Sequence, residues 1–136
     1  MIIHCDGGSR GNPGHAAIGV VFFDNEGKII KKHKEYIGMA TNNEAEYRAV
    51  ITAMKLANEK ILSIYMDSEV VAKQLSGEYK VKATNLKPLY DEAKKMEKRF
   101  TIVKYNLIPR LNSRQKIADM LVNKALDEHS KGNVKI

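Results

Sequence analysis

At Asn43 the apolar residues of this 136-residue chain change their spacing. Before that point they come in short runs. Residues 1–6 are an apolar run that stops at a glycine cluster. Residues 16–23 are apolar with β-branched and aromatic members, and residues 28–36 return after Asp24-Asn25-Glu26-Gly27. These are strand and turn signatures, the third strand lysine-rich and partly exposed. From residue 43 to 59 the period becomes 3.6, with Ala45, Ala49, Val50, Ala53, Met54 and Ala57 in an apolar stripe. Arg48, Thr52, Lys55 and Glu59 lie opposite, after a loop over 38–43 that ends in helix-capping residues. Strands are then predicted over 61–66 and 101–108. Helices are predicted from the Ser68 cap to Leu75 (stopped by Gly77), over 86–99 and over 113–129. The last has a core face of Ala118, Leu121, Val122, Ala125 and Leu126. Three antiparallel strands followed by alternating elements specify an α/β fold, a five-stranded mixed sheet flanked by helices. One domain over 1–130 and a loose tail over 131–136 are expected.

Charge narrows the choice of partner. Lys and Arg total 23 against 16 Asp and Glu, a net +7, which favours a polyanion and disfavours an acidic partner. Cys5 stands alone, so no disulfide framework is possible, and His4, His15, His33 and His129 lack zinc-ligand spacing. No apolar run approaches the roughly 18 residues of a membrane span, and the first residues do not resemble a signal peptide. The expectation is a cytoplasmic protein with no membrane partner.

The stretch Gly7-Gly8-Ser9-Arg10-Gly11-Asn12-Pro13-Gly14 has G-x-x-G-x-x-G spacing, lacks a following Lys-Ser/Thr, and leads into a strand rather than a helix. It is therefore no phosphate loop, and a wide hairpin connection is expected. Four acids form a sharper pattern. Asp6 and Asp67 end strands, Glu46 lies in the first turn of the first long helix, and Asp119 lies near the start of the last. Singly, such acids cap helices or face water. On neighbouring strands about 4.8 Å apart, two can converge at the strand ends where α/β sheets gather ligands. Converging carboxylates repel unless a hard cation such as Mg²⁺ takes their oxygens, and two such ions are suited to phosphodiester cleavage. Thr41-Asn42-Asn43 caps a helix, and beside an acidic site its amides could read ribose hydroxyls and base edges. Lys28, Lys31, Lys32, Lys34, Lys80, Lys82 and Lys87 could together track a phosphate backbone.

These segments resemble type 1 ribonucleases H. The match is carried by DGGSRGNPGHAAIGVV (6–21), TNNEAEYRAV (41–50), MDSEVVAKQLSGEYKVK (66–82) and IPRLNSRQKIADMLVNKAL (108–126), in the family's order. The resemblance implies a ribonuclease H-like fold. It also implies endonucleolytic hydrolysis of the RNA strand of RNA–DNA hybrids, with 5′-phosphate and 3′-hydroxyl products. It carries catalysis and two metal ions, Mg²⁺ or Mn²⁺, onto Asp6, Glu46, Asp67 and Asp119. Nucleic-acid contacts fall on Asn12, Asn42 and Asn43 (minor groove), Thr41 (a DNA phosphate) and Ser68. A monomer is expected, with double-stranded RNA as a further candidate substrate.

Three departures place the chain with short forms. Residues 108–118 contain no histidine where many bacterial members have a flexible one, leaving Arg110, Asn112 and Arg114 as candidate substitutes. The basic protrusion is missing between Gly77 and Pro88, so either a lower hybrid affinity or one that depends on Lys80, Lys82 and Lys87 is expected. Met39 stands where members with a full DNA-phosphate pocket often have arginine. The alternatives are a ribonuclease H-like module that binds hybrid or structured RNA while cutting weakly or not at all, and a metal-buffering domain. The presence of all four acids disfavours the first, and a charge of +7 disfavours the second.

Overall fold

Ile3, His4, Cys5 and Asp6 are consecutive and all buried. Side chains alternate faces along a strand, so such a run needs cover on both sides. A computed structural model describes residues 1–132 and puts this run at the centre of a five-stranded sheet. In chain order the elements are β1 (Ile2–Gly11), β2 (Gly14–Phe23), β3 (Ile29–Ala40), α1 (Asn42–Leu56), β4 (Ile61–Met66), α2 (Glu69–Leu75), α3 (Lys87–Glu97), β5 (Ile102–Leu107) and α4 (Ser113–Gly132). The sheet order is β3-β2-β1-β4-β5. β1, β2 and β3 pair antiparallel, and β4 and β5 are parallel to β1, so the sheet is mixed as the element order required.

One face of the sheet carries most of the core. Ile3, Cys5, Ile18, Val20, Phe22, Leu62, Ile64 and Met66 pack there against α1, α2 and α3. The other face is covered by α4 through smaller clusters, Ala17 with Val122, Ala125 and Leu126, and Val21 and Phe23 with Ala118. Among the described residues no helix is long and apolar enough to cross a membrane.

The differences from expectation lie at element ends. The glycine stretch is not a wide connection: β1 and β2 stay paired out to Gly11 opposite Gly14, leaving only Asn12 and Pro13 at the tip. Glycines carry no apolar pattern, so the continuing ladder was invisible in composition. Likewise β3 runs on through Gly38-Met39-Ala40, read as loop. Its register shifts opposite Ala16 and Ala17, leaving Ile37 as the extra residue beside Gly38 at φ +83°. Such a bulge breaks the period-2 pattern. Helix α1 stops at Leu56 rather than Glu59, because Ala57 turns extended to start the return towards β4. Lys131 and Gly132, assigned to the tail, are the last residues of α4, and residues 133–136 lie outside the described residues.

Candidate active site

Register brings Asp6 and Asp67 together. His4 of β1 lies opposite Tyr65 of β4 in the last parallel pair between those strands. Asp6 and Asp67 are each two residues further on, so they emerge at the same level on adjacent strands.

Glu46 comes from the first turns of α1, and its approach depends on Gly7. A Cβ at position 7 would lie 2.2 Å from the Ala45 carbonyl oxygen, so only glycine lets α1 seat this close to β1. The Gly7 N–H then donates to Glu46 Oε1 at 2.9 Å. The other oxygen, Oε2, is buried with no hydrogen-bond partner. Asp119 comes from α4, whose seat on β2 uses Gly19 in the same way: a Cβ there would lie 2.3 Å from the Ala118 carbonyl oxygen.

The four acids line one cleft of about 490 Å³ together with Asn42, Asn43, Ser68, Arg10 and Arg110. Carboxylate oxygens of Asp6, Glu46 and Asp67 lie within 4.8 Å of one another. Burial and this crowding favour protonation. Desolvation, strengthened by Asp67 and Asp119 and partly offset by the neighbouring Glu46 carboxyl, pushes Asp6 from 3.8 up to about 7. Glu46 is pushed well up by desolvation and then by Asp6. Asp67 is raised by desolvation, with Arg110 pulling it part of the way back. A buried carboxylate oxygen with no donor, beside two further acids and with no buried cation among them, fits a hard divalent ion that takes oxygen ligands.

The expected nucleic-acid contacts divide into two groups. Asn42, Asn43 and Ser68 line the cleft. Asn12 and Thr41 do not, and serve local structure. Asn12 Oδ1 accepts from the Asn42 N–H at 3.0 Å. Thr41 caps α1 in a reciprocal box with Glu44: its hydroxyl accepts from the Glu44 N–H at 3.1 Å, and its own N–H donates to Glu44 Oε1 at 2.7 Å. Asn42 also has a structural bond, accepting from the Ser9 N–H at 2.9 Å, and Ser68 caps α2 by accepting from Val71 N–H at 3.3 Å.

The same division applies to the histidine substitutes. Arg110 is in the cleft with its guanidinium 3.5 Å from an Asp119 carboxylate oxygen. Asn112 accepts from the Arg114 and Gln115 N–H groups at the start of α4. Arg114 lies over the Phe23 ring, 4.7 Å from its centroid. None of the lysines singled out above lines the cleft. Lys34 instead meets Glu128, and Lys87 meets Asp91.

Comparison with known proteins agrees with this arrangement. The family described as "Reverse transcriptase-like" matches residues 4–125. The RNase H1 structure from the archaeon Halobacterium salinarum superposes with a TM-score of 0.88 at 35% identity, covering 93% of this chain and 97% of that one. The chain belongs to the type 1 ribonuclease H family. LC11-RNase H1, solved in complex with an RNA/DNA hybrid, gives a TM-score of 0.86 at 38% identity and covers 95% of this chain and 98% of that one. The bifunctional protein Rv2228c of Mycobacterium tuberculosis is 41% identical over 132 residues, 93% of this chain. The chain spans only 35% of that relative's length.

This ribonuclease H-family chain also has cleft features that the motifs did not reveal. Arg10 lines the cleft and is tied to Asp127 at 2.7 Å. Gln115 lies outside the cleft lining, fully buried on the inner face of α4, and the motifs do not single it out. A signal existed: it falls three residues before Ala118 on the apolar stripe of that helix, where a polar side chain needs a partner.

Proposed function

We propose that the chain is an endonuclease that hydrolyses the RNA strand of RNA–DNA hybrids, leaving 5′-phosphate and 3′-hydroxyl ends. One observation carries the reading. Asp6, Glu46 and Asp67 offer oxygens within 4.8 Å of one another, and one of the Glu46 oxygens is buried with no protein partner. Asp6, Glu46, Asp67 and Asp119 would hold two Mg²⁺ or Mn²⁺ ions, which supply a polarised water and Lewis-acid stabilisation of the phosphate.

The remaining work falls to the chain's own groups. Gly7 fixes Glu46 through its N–H, so the acid need not reorganise during the reaction. Asn42 and Asn43 present side-chain amides on the cleft wall beside the acids. Amides there suit the 2′-hydroxyls and base edges of a shallow minor groove, and the 2′-hydroxyl is what distinguishes an RNA strand from DNA. Ser68 lies on the same wall, while Thr41 and Asn12 hold the α1 terminus that a backbone phosphate would approach. Arg110 is the best-supported substitute for the missing histidine. It is a largely exposed cation beside Asp119, able to follow a phosphate product out of the cleft.

A labelled RNA–DNA hybrid, double-stranded RNA and double-stranded DNA, each with Mg²⁺ or Mn²⁺, test the proposal. Cleavage of the hybrid's RNA strand to 5′-phosphate products is expected. Asp67→Asn should fold as wild type by circular dichroism and lose nearly all cleavage. Wild-type-like turnover by that variant overturns the assignment, and hybrid binding without cleavage under either metal points to a binding module instead.

A further inference from the structure

A buried polar layer lies directly beneath the acids. Gln115 is 0% exposed. Its Nε2 donates to the Cys5 carbonyl at 2.8 Å, and its Oε1 accepts from His4 Nδ1 at 3.2 Å. The His4 ring in turn stacks on Tyr65, with centroids 4.8 Å apart and planes 7° apart. One connected unit thus joins β1, β4 and α4.

Each member of the layer stands a fixed step from a carboxylate. Asp6 follows His4 by two residues, and Asp67 follows Tyr65 by two, the repeat of a strand. Asp119 follows Gln115 by four, about one helical turn. The Cys5 carbonyl that Gln115 holds belongs to the peptide joined directly to Asp6. Asp119 and Asp6 are therefore referenced to each other through a single side chain.

The other contacts of α4 do not supply this reference. In the interior they are apolar, made by Ala118, Val122, Ala125 and Leu126 against Ala17, Val21 and Phe23, and the polar ties of Arg10 to Asp127 and Lys34 to Glu128 run through long side chains at the surface. Apolar burial is non-directional and tolerates a small slide along the helix axis. Hydrogen bonds do not. A slide of one residue, about 1.5 Å, stretches or misaligns a 2.8 Å bond.

Resting on the nuclease reading above, we propose that Gln115 is a positioning residue, its buried amide setting the register of α4 so that Asp119 meets Asp6 and Asp67 at the spacing divalent ions require. It touches neither substrate nor metal.

Gln115→Met keeps the volume and removes both bonds. Gln115→Asn, the milder variant, keeps an amide with a shorter reach. Leu62→Ala, cut from the opposite face of the sheet, is the control for lost stability. Mn²⁺ binding measured by calorimetry without nucleic acid should weaken about 10-fold in both Gln115 variants, the usual cost of losing an outer-shell support. With hybrid, kcat should fall by a similar factor at limiting Mn²⁺, recover at high Mn²⁺, and leave KM unchanged. Leu62→Ala should keep wild-type Mn²⁺ affinity at a temperature where it is folded. Wild-type Mn²⁺ affinity in a folded Gln115→Met or Gln115→Asn protein overturns the proposal. A wild-type chain that binds Mn²⁺ without cutting hybrid would overturn the nuclease reading while the Mn²⁺ comparison still decides the role of Gln115.

Discussion

On the α1 side of the sheet, Ile3, Cys5, Val20, Phe22 and Ile64 meet Tyr47, Val50 and Met54 in a broad apolar core, and Glu46 is sealed at its edge. On the α4 side the apolar clusters are small, the central contact is the Gln115 amide, and the Asp119 side chain is 31% exposed. Both sides deliver an acid to the same cleft. The first holds its acid by burial and a backbone N–H. The second holds its acid by a hydrogen-bonded register and leaves it in contact with water and Arg110. The contrast separates one rigid, desolvated acid from one solvent-facing acid beside an exposed arginine.

The most severe way to break that contrast is Glu46→Gln. It should abolish cleavage, yet leave the metal-free protein at least as stable as wild type at neutral pH, since a neutral amide replaces an acid that burial and Asp6 push towards protonation. Urea unfolding in EDTA, set beside a cleavage assay, reads both. A destabilised Glu46→Gln would mean that the buried carboxylate is satisfied within the protein.

The two glycine seats compare the faces directly. Gly7→Ala and Gly19→Ala each drive a Cβ into backbone, at 2.2 Å and 2.3 Å. Each should cost about 1–3 kcal/mol or more by overpacking. Gly7→Ala should also lose more activity, because it displaces the N–H that holds Glu46. Equal activity in the two variants, compared below both melting temperatures, would remove the distinction between a rigid and a solvent-facing side.

The pH dependence of metal-free stability separates the acids from the layer beneath them. Asp6 is raised from 3.8 to about 7 in the folded chain, so the folded state holds a proton that the unfolded state releases. Its contribution is fully present below about pH 4 and is lost as pH rises through about 7. His4 has the opposite sign. Desolvation lowers it from 6.5, so its contribution is present above 6.5 and is lost as pH falls through the folded value. The Asp6 contribution to stability in EDTA should therefore decline between about pH 4 and 7, with His4 opposing it below 6.5. Asp6→Asn should flatten that decline, and saturating Mg²⁺ should reverse it. An unchanged slope in Asp6→Asn counts against the acid cluster as its source.

The smallest effect is expected at the far end of α4. Glu128 is lowered by its bond to Lys34, but the pair is at the surface and screened by salt. Glu128→Gln should leave the melting temperature and cleavage unchanged, and a clear loss of either would show that α4 is held at both ends.

Much of this was legible in the linear chain. The element order follows from the change of period at Asn43, and the apolar stripe Ala45, Ala49, Val50, Ala53 and Met54 is buried as its spacing implied. The four acids were identifiable because strand ends and first helical turns are local features, and they share one cleft. What was missed depends on pairing between distant residues. The tight Gly11–Gly14 turn and the Ile37 bulge are properties of strand register, which a glycine-rich or irregular segment does not display.

By itself the sequence determined the α/β class, since periodicity records which face of each element is buried, and its motifs carried the family resemblance that singled out the four acids. Only the tertiary structure places Arg110 in the cleft, Asn112 on a helix start and Arg114 on an aromatic face. Only there does one Glu46 oxygen emerge without a donor, and only there does Gln115 meet a carbonyl 110 residues away. The physical reason is common to all three. Whether a polar group is satisfied depends on what lies within about 3 Å of it in space, and local sequence does not specify that neighbour.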